Sequence, residues 1–324
     1  MKTVRVCVVG AGVIGLTCAV RLAESGHSVH IVAAQPGSES VSAVAAAMWF
    51  PYRAYPQHRV LAWSMTSLVA FEALAQDPTT GVAMRRGVQL HRLSEQDLWW
   101  AEKLPNVTSL TRTDLSPHLA TNPGFVGGLE ANLPIIVMSR YLEWLVNRCT
   151  DLGVTTTTEV LLTVGGADPS ADAVVLAVGM GAQTLLGDGE VTPIRGQVVR
   201  LANPGLTDWL LDEDDPAQFC YVIPRFDDVV CGGTAEVGQS SLEPDATTEA
   251  VLLSRARALA PELNNAPVVS RAVGLRPGRT AVRLERCDEL DPAGRPVVAC
   301  YGHGGAGVTM SWGCAEEVVA LLGH

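Results

Sequence analysis

Residues 3–9, Thr-Val-Arg-Val-Cys-Val-Val, are rich in valine and apolar on both faces. That pattern predicts a short strand buried inside a parallel sheet. Gly10-Ala11-Gly12-Val13-Ile14-Gly15 follows at once, and apolar positions then recur at helical spacing over 16–25, with Gly26 as a stop. Residues 28–33 form a second apolar run, which completes a strand-helix-strand unit in about thirty residues. Lys2 and Arg5 ahead of the apolar stretch 6–20 imitate a secretory leader. The glycines at 10, 12 and 15 and the regular pattern beyond them favour a buried strand, turn and helix instead.

Further along, the periodicity predicts helices over 60–76, 139–149, 247–259 and 308–322. It predicts strands over 87–93, 173–178 and Val297–Tyr301, and antiparallel strands over 197–201, 220–223, 229–232 and 267–274. Met48-Trp49-Phe50-Pro51-Tyr52 is a dense aromatic knot in a loop. Buried parallel strands stand near both ends of the chain, with antiparallel segments between them. The simplest account is a doubly wound α/β domain interleaved with a mixed, largely antiparallel-sheet α+β domain. The expected pieces are 1–75, 140–190 and 277–324 for the first, and 76–139 and 191–276 for the second.

Composition narrows the chemistry. The 324 residues carry a net charge of −11, which argues against nucleic acid and against a polybasic membrane anchor. No apolar run reaches spanning length, so neither nucleic acid nor membrane is an expected partner. Lys2 and Lys103 are the only lysines, which removes a P-loop and leaves almost no Schiff-base candidate. Hydrolase signatures such as G-x-S-x-G and H-E-x-x-H are absent. The eight cysteines are scattered without C-x-x-C, so reduced thiols, a cytoplasmic location and no metal site are expected. The closing Leu-Leu-Gly-His is neither a prenylation box nor a peroxisomal address, in line with that location.

The G-x-G-x-x-G of Gly10, Gly12 and Gly15 sits between a strand and a helix, the setting in which it cradles a dinucleotide pyrophosphate. The carboxylate that usually holds the ribose is missing. The second strand ends Val32-Ala33-Ala34-Gln35, leaving Gln35 or the serines at 38, 40 and 42 as substitutes. A second glycine-rich turn, 302–307, lies between the last strand and the last helix. A long dinucleotide carrying a flavin needs such a second helix N-terminus, whereas a simple nicotinamide enzyme does not.

With these motifs the chain resembles the D-amino acid oxidase family of flavoproteins. The resemblance runs through 8–16, 45–52, 195–199, Tyr221-Val222-Ile223-Pro224, Gly232-Gly233-Thr234, 274–279, and Tyr301-Gly302-His303-Gly304-Gly305 on to Trp312-Gly313-Cys314-Ala315. Ala299-Cys300 and Ala47 depart from the family pattern, which has histidine and a small polar residue before the tyrosine, and commonly glycine at the latter position.

The resemblance implies non-covalent FAD. Its pyrophosphate would lie over Gly10, Ala11, Gly12, Val13, Ile14 and Gly15, with Ser40 and Ser42 as phosphate and ribose contacts and Val160 as a backbone contact to adenine. The flavin ring would lie near Ala46, Ala47 and Met48 and the turn Gly304, Gly305, Ala306, Gly307, Val308, Thr309. The implied reaction takes a hydride from Cα of a D-amino acid. Molecular oxygen is the final acceptor, and the products are a 2-oxo acid, ammonia and hydrogen peroxide.

Arg276 would bind the substrate carboxylate with the Tyr221 hydroxyl, and the Gly305 carbonyl would accept from the amine. Phe50 and Tyr52 would make an apolar side-chain wall, favouring neutral substrates. Arg53 would instead select acidic ones if it faced the pocket, so a D-aspartate or D-glutamate oxidase is the alternative, with a nicotinamide dehydrogenase a remote one. Ala217 stands where lidded relatives carry a second tyrosine, so a short acidic lid over 212–218 is expected. His303, Arg279 and Arg283 read as structural. A homodimer is left open. Cys231 and Cys287 are read as reduced thiols, with a bridge between them as the less favoured reading.

Overall fold

The computed structural model describes residues 3–52 and 54–323. Arg53, on which the acidic-substrate reading turns, lies outside the described residues. In chain order the strands are β1 (Arg5–Val9), β2 (Ser28–Ala33), β3 (Val82–His91), β4 (Thr108–Thr111), β5 (Gly127–Ile136), β6 (Thr155–Thr158), β7 (Ala173–Leu176) and β8 (Thr192–Ala202). They continue with β9 (Trp209–Asp212), β10 (Cys220–Pro224), β11 (Asp228–Gly232), β12 (Glu236–Val237), β13 (Val268–Gly278), β14 (Arg283–Arg286) and β15 (Val297–Tyr301). The helices are α1 (Val13–Glu24), α2 (Gln57–Leu74), α3 (Pro117–Ala120), α4 (Met138–Asp151), α5 (Ala182–Leu185), α6 (Ala246–Leu259) and α7 (Gly307–Leu322).

Two sheets organise the chain. The six-stranded sheet runs β14-β15-β7-β1-β2-β6, parallel except for the antiparallel edge β14. Its central strands β1, β7 and β15 each carry a Val-Val pair and are apolar nearly throughout, because helices and loops cover both faces. The nine-stranded sheet runs β12-β8-β11-β10-β9-β3-β5-β4, with β13 also paired to β8. Apart from the parallel β3–β9 pair, its ladders are antiparallel. The α/β and largely antiparallel architecture read from the sequence is the one found. Among the described residues no helix is long and apolar enough to cross a membrane.

The helices tie the two sheets to one core. α7 lies against α2, where Ser67 Oγ accepts from the backbone N–H groups of Trp312 and Gly313 at 3.1 and 3.0 Å. It meets α4 where the Trp312 indole donates to the Tyr141 hydroxyl at 2.9 Å. α6 is capped by Asp245, whose carboxylate accepts from Thr248 N–H at 2.7 Å. Its Leu252, Ala256 and Leu259 cover the far face of the large sheet.

Several elements carry little one-dimensional signal. β6 is four exposed threonines at a sheet edge, so no apolar pattern marks it. β4, β9 and β14 are four-residue strands completed by their neighbours. The strand expected at 87–93 spans Val82–His91, because the pair Arg85-Arg86 hides its first half. The eight cysteines are unpaired. Cys231 packs among the large-sheet residues under α6, whereas Cys287 packs beside β7 and β15 of the other sheet. The segment 267–287 is therefore split between sheets, and the less favoured bridge falls away.

Candidate active site

A cleft of about 530 Å³ lies between the sheets, within the range of small-molecule and cofactor sites. Its first end is the β1–α1 turn. Gly10 adopts φ +114° and donates its N–H to Val32 O at 2.8 Å. A Cβ on Gly15 would lie 1.9 Å from Gly10 O, so only glycine lets the helix start close on the turn. No side chain caps α1 from its N-cap residue, Gly12. Ser42 Oγ accepts from Val13 N–H at 3.0 Å. A helix N-terminus of this kind suits a phosphate.

The strip 45–50 crosses the middle of the cleft. Met48 bridges to Ile135, with Ile136 N–H donating to Ala47 O and Trp49 N–H to Pro134 O. Ala47 sits at φ +56°, a left-handed conformation that an L-residue enters at a cost. At the far end β15 runs through Gly302 and Gly304, both at positive φ, into the start of α7, which has no side-chain N-cap hydrogen bond. The Thr309 hydroxyl accepts from Phe50 N–H at 3.1 Å and donates to Phe50 O at 3.0 Å. It locks α7 to the aromatic knot.

Gly10, Ala11, Gly12, Val13, Ile14, Ser40, Ser42, Ala46, Ala47, Met48, Val160, Gly304, Gly305, Gly307, Val308 and Thr309 all border the cleft. Gly15 and Ala306 do not: the first packs under the turn and the second is fully buried. Val160 is 66% exposed at the rim. The Gln35 amide donates to Glu39 O at 2.7 Å and Ser40 Oγ to Gly37 O at 2.6 Å, so both shape the loop after β2. The carboxylate absent from the end of β2 has a neighbour one strand over. Glu159 follows β6, donates its N–H to Ala33 O at 2.8 Å, and borders the cleft. It was missed because the β6 threonines gave no sign of a strand there.

The other side of the cleft belongs to the large sheet. Arg276 on β13 donates through Nη1 to Thr234 O at 2.8 Å. A Cβ on Gly196 of β8, which pairs with Gly274, would lie 2.5 Å from the guanidinium, so glycine there makes the room. Tyr221 on β10 lies over Gly232, where an added Cβ would be 2.3 Å from the phenol oxygen. Burial pushes its pKa up to about 12, against the opposing pull of the Arg276 charge.

Phe219 stacks on Tyr52 at 5.8 Å and 4°, and meets Tyr221 edge-on at 5.8 Å. Phe50 meets Trp100 edge-on at 4.8 Å. Phe219 was also missed, although it stands two residues before Tyr221, the spacing that puts residues on one face of a strand. Gly305 reaches this group, its ideal Cβ lying 3.0 Å from the Tyr52 ring.

The acidic segment is tethered. Asp212 pairs with Arg92 at 2.6 Å, Asp214 accepts from Arg92 N–H at 2.7 Å, and Glu213, which borders the cleft, accepts from Gln89 at 3.0 Å. Ala217 lies outside the cleft lining and is exposed. Arg279 pairs with Asp188 and Glu190, and Arg283 with Glu285 and the Tyr301 hydroxyl. His303 is buried, which lowers its pKa to about 4 and keeps the ring neutral. Its Nε2 faces the sulfurs of Cys300 and Cys314.

Two glycine turns open two helices onto one long cleft, in a parallel sheet with an antiparallel partner sheet. That arrangement is the one a dinucleotide-dependent oxidoreductase needs, and the residues present fit FAD. The profile of the FAD dependent oxidoreductase family matches residues 5–321, and the chain belongs to that family. It is 46% identical over 320 residues to a D-amino-acid oxidase of Rubrobacter xylanophilus, covering 98% of this chain and 96% of the relative. It is 33% identical over 334 residues to the D-aspartate oxidase of Homo sapiens, covering 99% and 95%. Among solved structures, glycine oxidase of Geobacillus kaustophilus superposes with a TM-score of 0.82 at 22% identity, covering 99% and 95%. FAD is the cofactor.

Proposed function

We propose that the protein oxidises neutral D-amino acids to 2-oxo acids, with ammonia and hydrogen peroxide as the other products and molecular oxygen as electron acceptor. FAD, held without a covalent bond, supplies the hydride acceptor for the substrate Cα–H. The observation that carries the reading is Arg276 and Tyr221 converging, beside Gly305, on the same cleft that the β1–α1 turn opens. The Arg276 guanidinium binds the carboxylate, for which its planar fork is suited. Tyr221, kept protonated by burial, donates a hydrogen bond to the same carboxylate. The Gly305 carbonyl accepts from the amine.

Phe50, Tyr52, Phe219, Leu211 and Ile223 give the side chain an apolar wall, and Glu213 at its border disfavours a second carboxylate. The cofactor domain is assigned residues 1–75, 140–190 and 277–324, and the substrate domain 76–139 and 191–276. Glu159 takes the ribose contact that the end of β2 lacks. Eight unpaired buried thiols support a reducing, cytoplasmic location.

The human relative favours a second reading, oxidation of acidic D-amino acids. A peroxide assay across D- and L-amino acids separates the two. Turnover of D-alanine, D-valine and D-methionine above D-aspartate supports the proposal. Faster D-aspartate turnover supports the second reading, and peroxide from L-amino acids alone refutes both.

A further inference from the structure

Behind the flavin side of the cleft, three donor atoms meet in the interior. Cys300 at the end of β15, His303 three residues on, and Cys314 in α7 bring Sγ, Nε2 and Sγ within 4.8 Å of one another. The imidazole Nε2 lies 3.9 Å from Cys300 Sγ and 3.6 Å from Cys314 Sγ. A third thiol, Cys18 of α1, is a side-chain partner of Cys300 but lies outside that set. All four residues are buried.

We propose that Cys300, His303 and Cys314 form a site for a soft divalent cation, zinc. Zn–S bonds of about 2.3 Å and a Zn–N bond of about 2.05 Å at tetrahedral angles require N···S edges of roughly 3.6 Å. The observed N···S pairs, at 3.6 and 3.9 Å, stand at or slightly beyond that separation before any ion draws them in. Two thiolates and one imidazole fill three of the four tetrahedral positions, and the cleft that Cys300 and His303 border can supply water for the fourth. On binding, two S–H bonds break, two Zn–S bonds and one Zn–N bond form, and two protons pass to solvent.

Cys300 and His303 also border the cleft, so an ion has a route inward from the cofactor side. The ligands join β15 to α7 across the second glycine turn. Cys300 is one of the departures from the family pattern, which makes the site a property of this chain. The spacing Cys300-x-x-His303 was visible in the sequence, but the third ligand, Cys314, comes from α7. The sequence reading of no metal followed from the absence of C-x-x-C.

The test uses the FAD-loaded enzyme, reduced with a phosphine, incubated with zinc chloride and freed of loose ion by gel filtration. Metal content and zinc X-ray absorption are then measured. The expected result is about one zinc per chain in a shell that holds about two sulfurs at about 2.3 Å. Cys314→Ala is expected to retain at least tenfold less, while Cys220→Ala, a buried thiol of the other sheet, retains as much as wild type. Wild type holding less than about a tenth of an equivalent, or a shell of oxygen and nitrogen only, overturns the site. So does unchanged retention in Cys314→Ala. The wild-type absorption spectrum decides the matter even if a variant fails to fold.

Discussion

Arg276 and Tyr221 set the expectations at the residue scale. In the proposed binding mode, replacing Arg276 by alanine leaves the substrate carboxylate without its charged partner in a cleft walled by aromatic rings. The loss is about 3–5 kcal/mol, so kcat/KM for D-alanine is expected to fall by roughly two to four orders of magnitude. A fall below tenfold in steady-state kinetics would assign the carboxylate to another group. Tyr221→Phe removes one hydrogen bond at a cost of about 1–2 kcal/mol, a fall of roughly 5- to 30-fold. The wild-type phenol, raised to about 12 by burial, keeps its proton through the range where an ordinary tyrosine ionises. The alkaline limb of the kcat/KM profile is therefore expected to be the same in Tyr221→Phe and wild type. A limb that vanishes in the variant would assign the titration to Tyr221. Arg276 and Tyr221 were legible in the sequence through the motifs around them. Phe219 and Glu213 were not, because a wall residue is defined by what stands opposite it.

At the scale of elements, the strip 45–50 and strand β6 carry the next two expectations. Ala47 holds φ +56° between two backbone hydrogen bonds to β5, a conformation glycine enters freely. Ala47→Gly is expected to raise the stability of the FAD-loaded enzyme by roughly 1 kcal/mol, a melting shift of about 2 °C. An unchanged or lowered Tm would show that the added chain freedom of glycine outweighs the relief. Glu159 owes its position to β6, whose threonines pair in parallel with β2. Glu159→Gln is expected to weaken FAD binding about fivefold, the loss of one exposed hydrogen bond near 1 kcal/mol, without changing KM for substrate. Fluorescence titration of the apoprotein with FAD measures it, and an unchanged Kd returns the ribose to the serines or Gln35. The elements with long apolar periodicity, α1, α2, α4, α6 and α7, fell within a few residues of their expected bounds. The edge strands did not announce themselves, since a strand with one partner and exposed side chains needs no apolar alternation.

Across the whole molecule, the proposed division of cofactor and substrate between the two sheets is tested at two glycines. A Cβ on Gly15 would collide with the Gly10 carbonyl, a backbone atom that cannot move aside. A Cβ on Gly196 would collide with the guanidinium end of a flexible side chain. Gly15→Ala is therefore expected to lose most bound FAD, read from the flavin absorbance of the purified protein. Gly196→Ala is expected to keep its FAD while KM for D-alanine rises about tenfold, near 1.4 kcal/mol. FAD loss in Gly196→Ala with normal KM would reverse the assignment of the sheets. The sequence by itself determined the two glycine turns, the helices that follow them, the buried parallel strands and the Arg276 motif. Each rests on local physics: a turn that admits only glycine, a repeat near 3.6 residues, a run of valine. Only the tertiary structure decided which distant groups share a space. Glu159 meets the end of β2, Phe219 stacks on Tyr52, and Cys300 and Cys314 face one histidine, while Cys231 and Cys287 part company. Sheet order and packing set those meetings, and no local pattern encodes the order in which strands assemble.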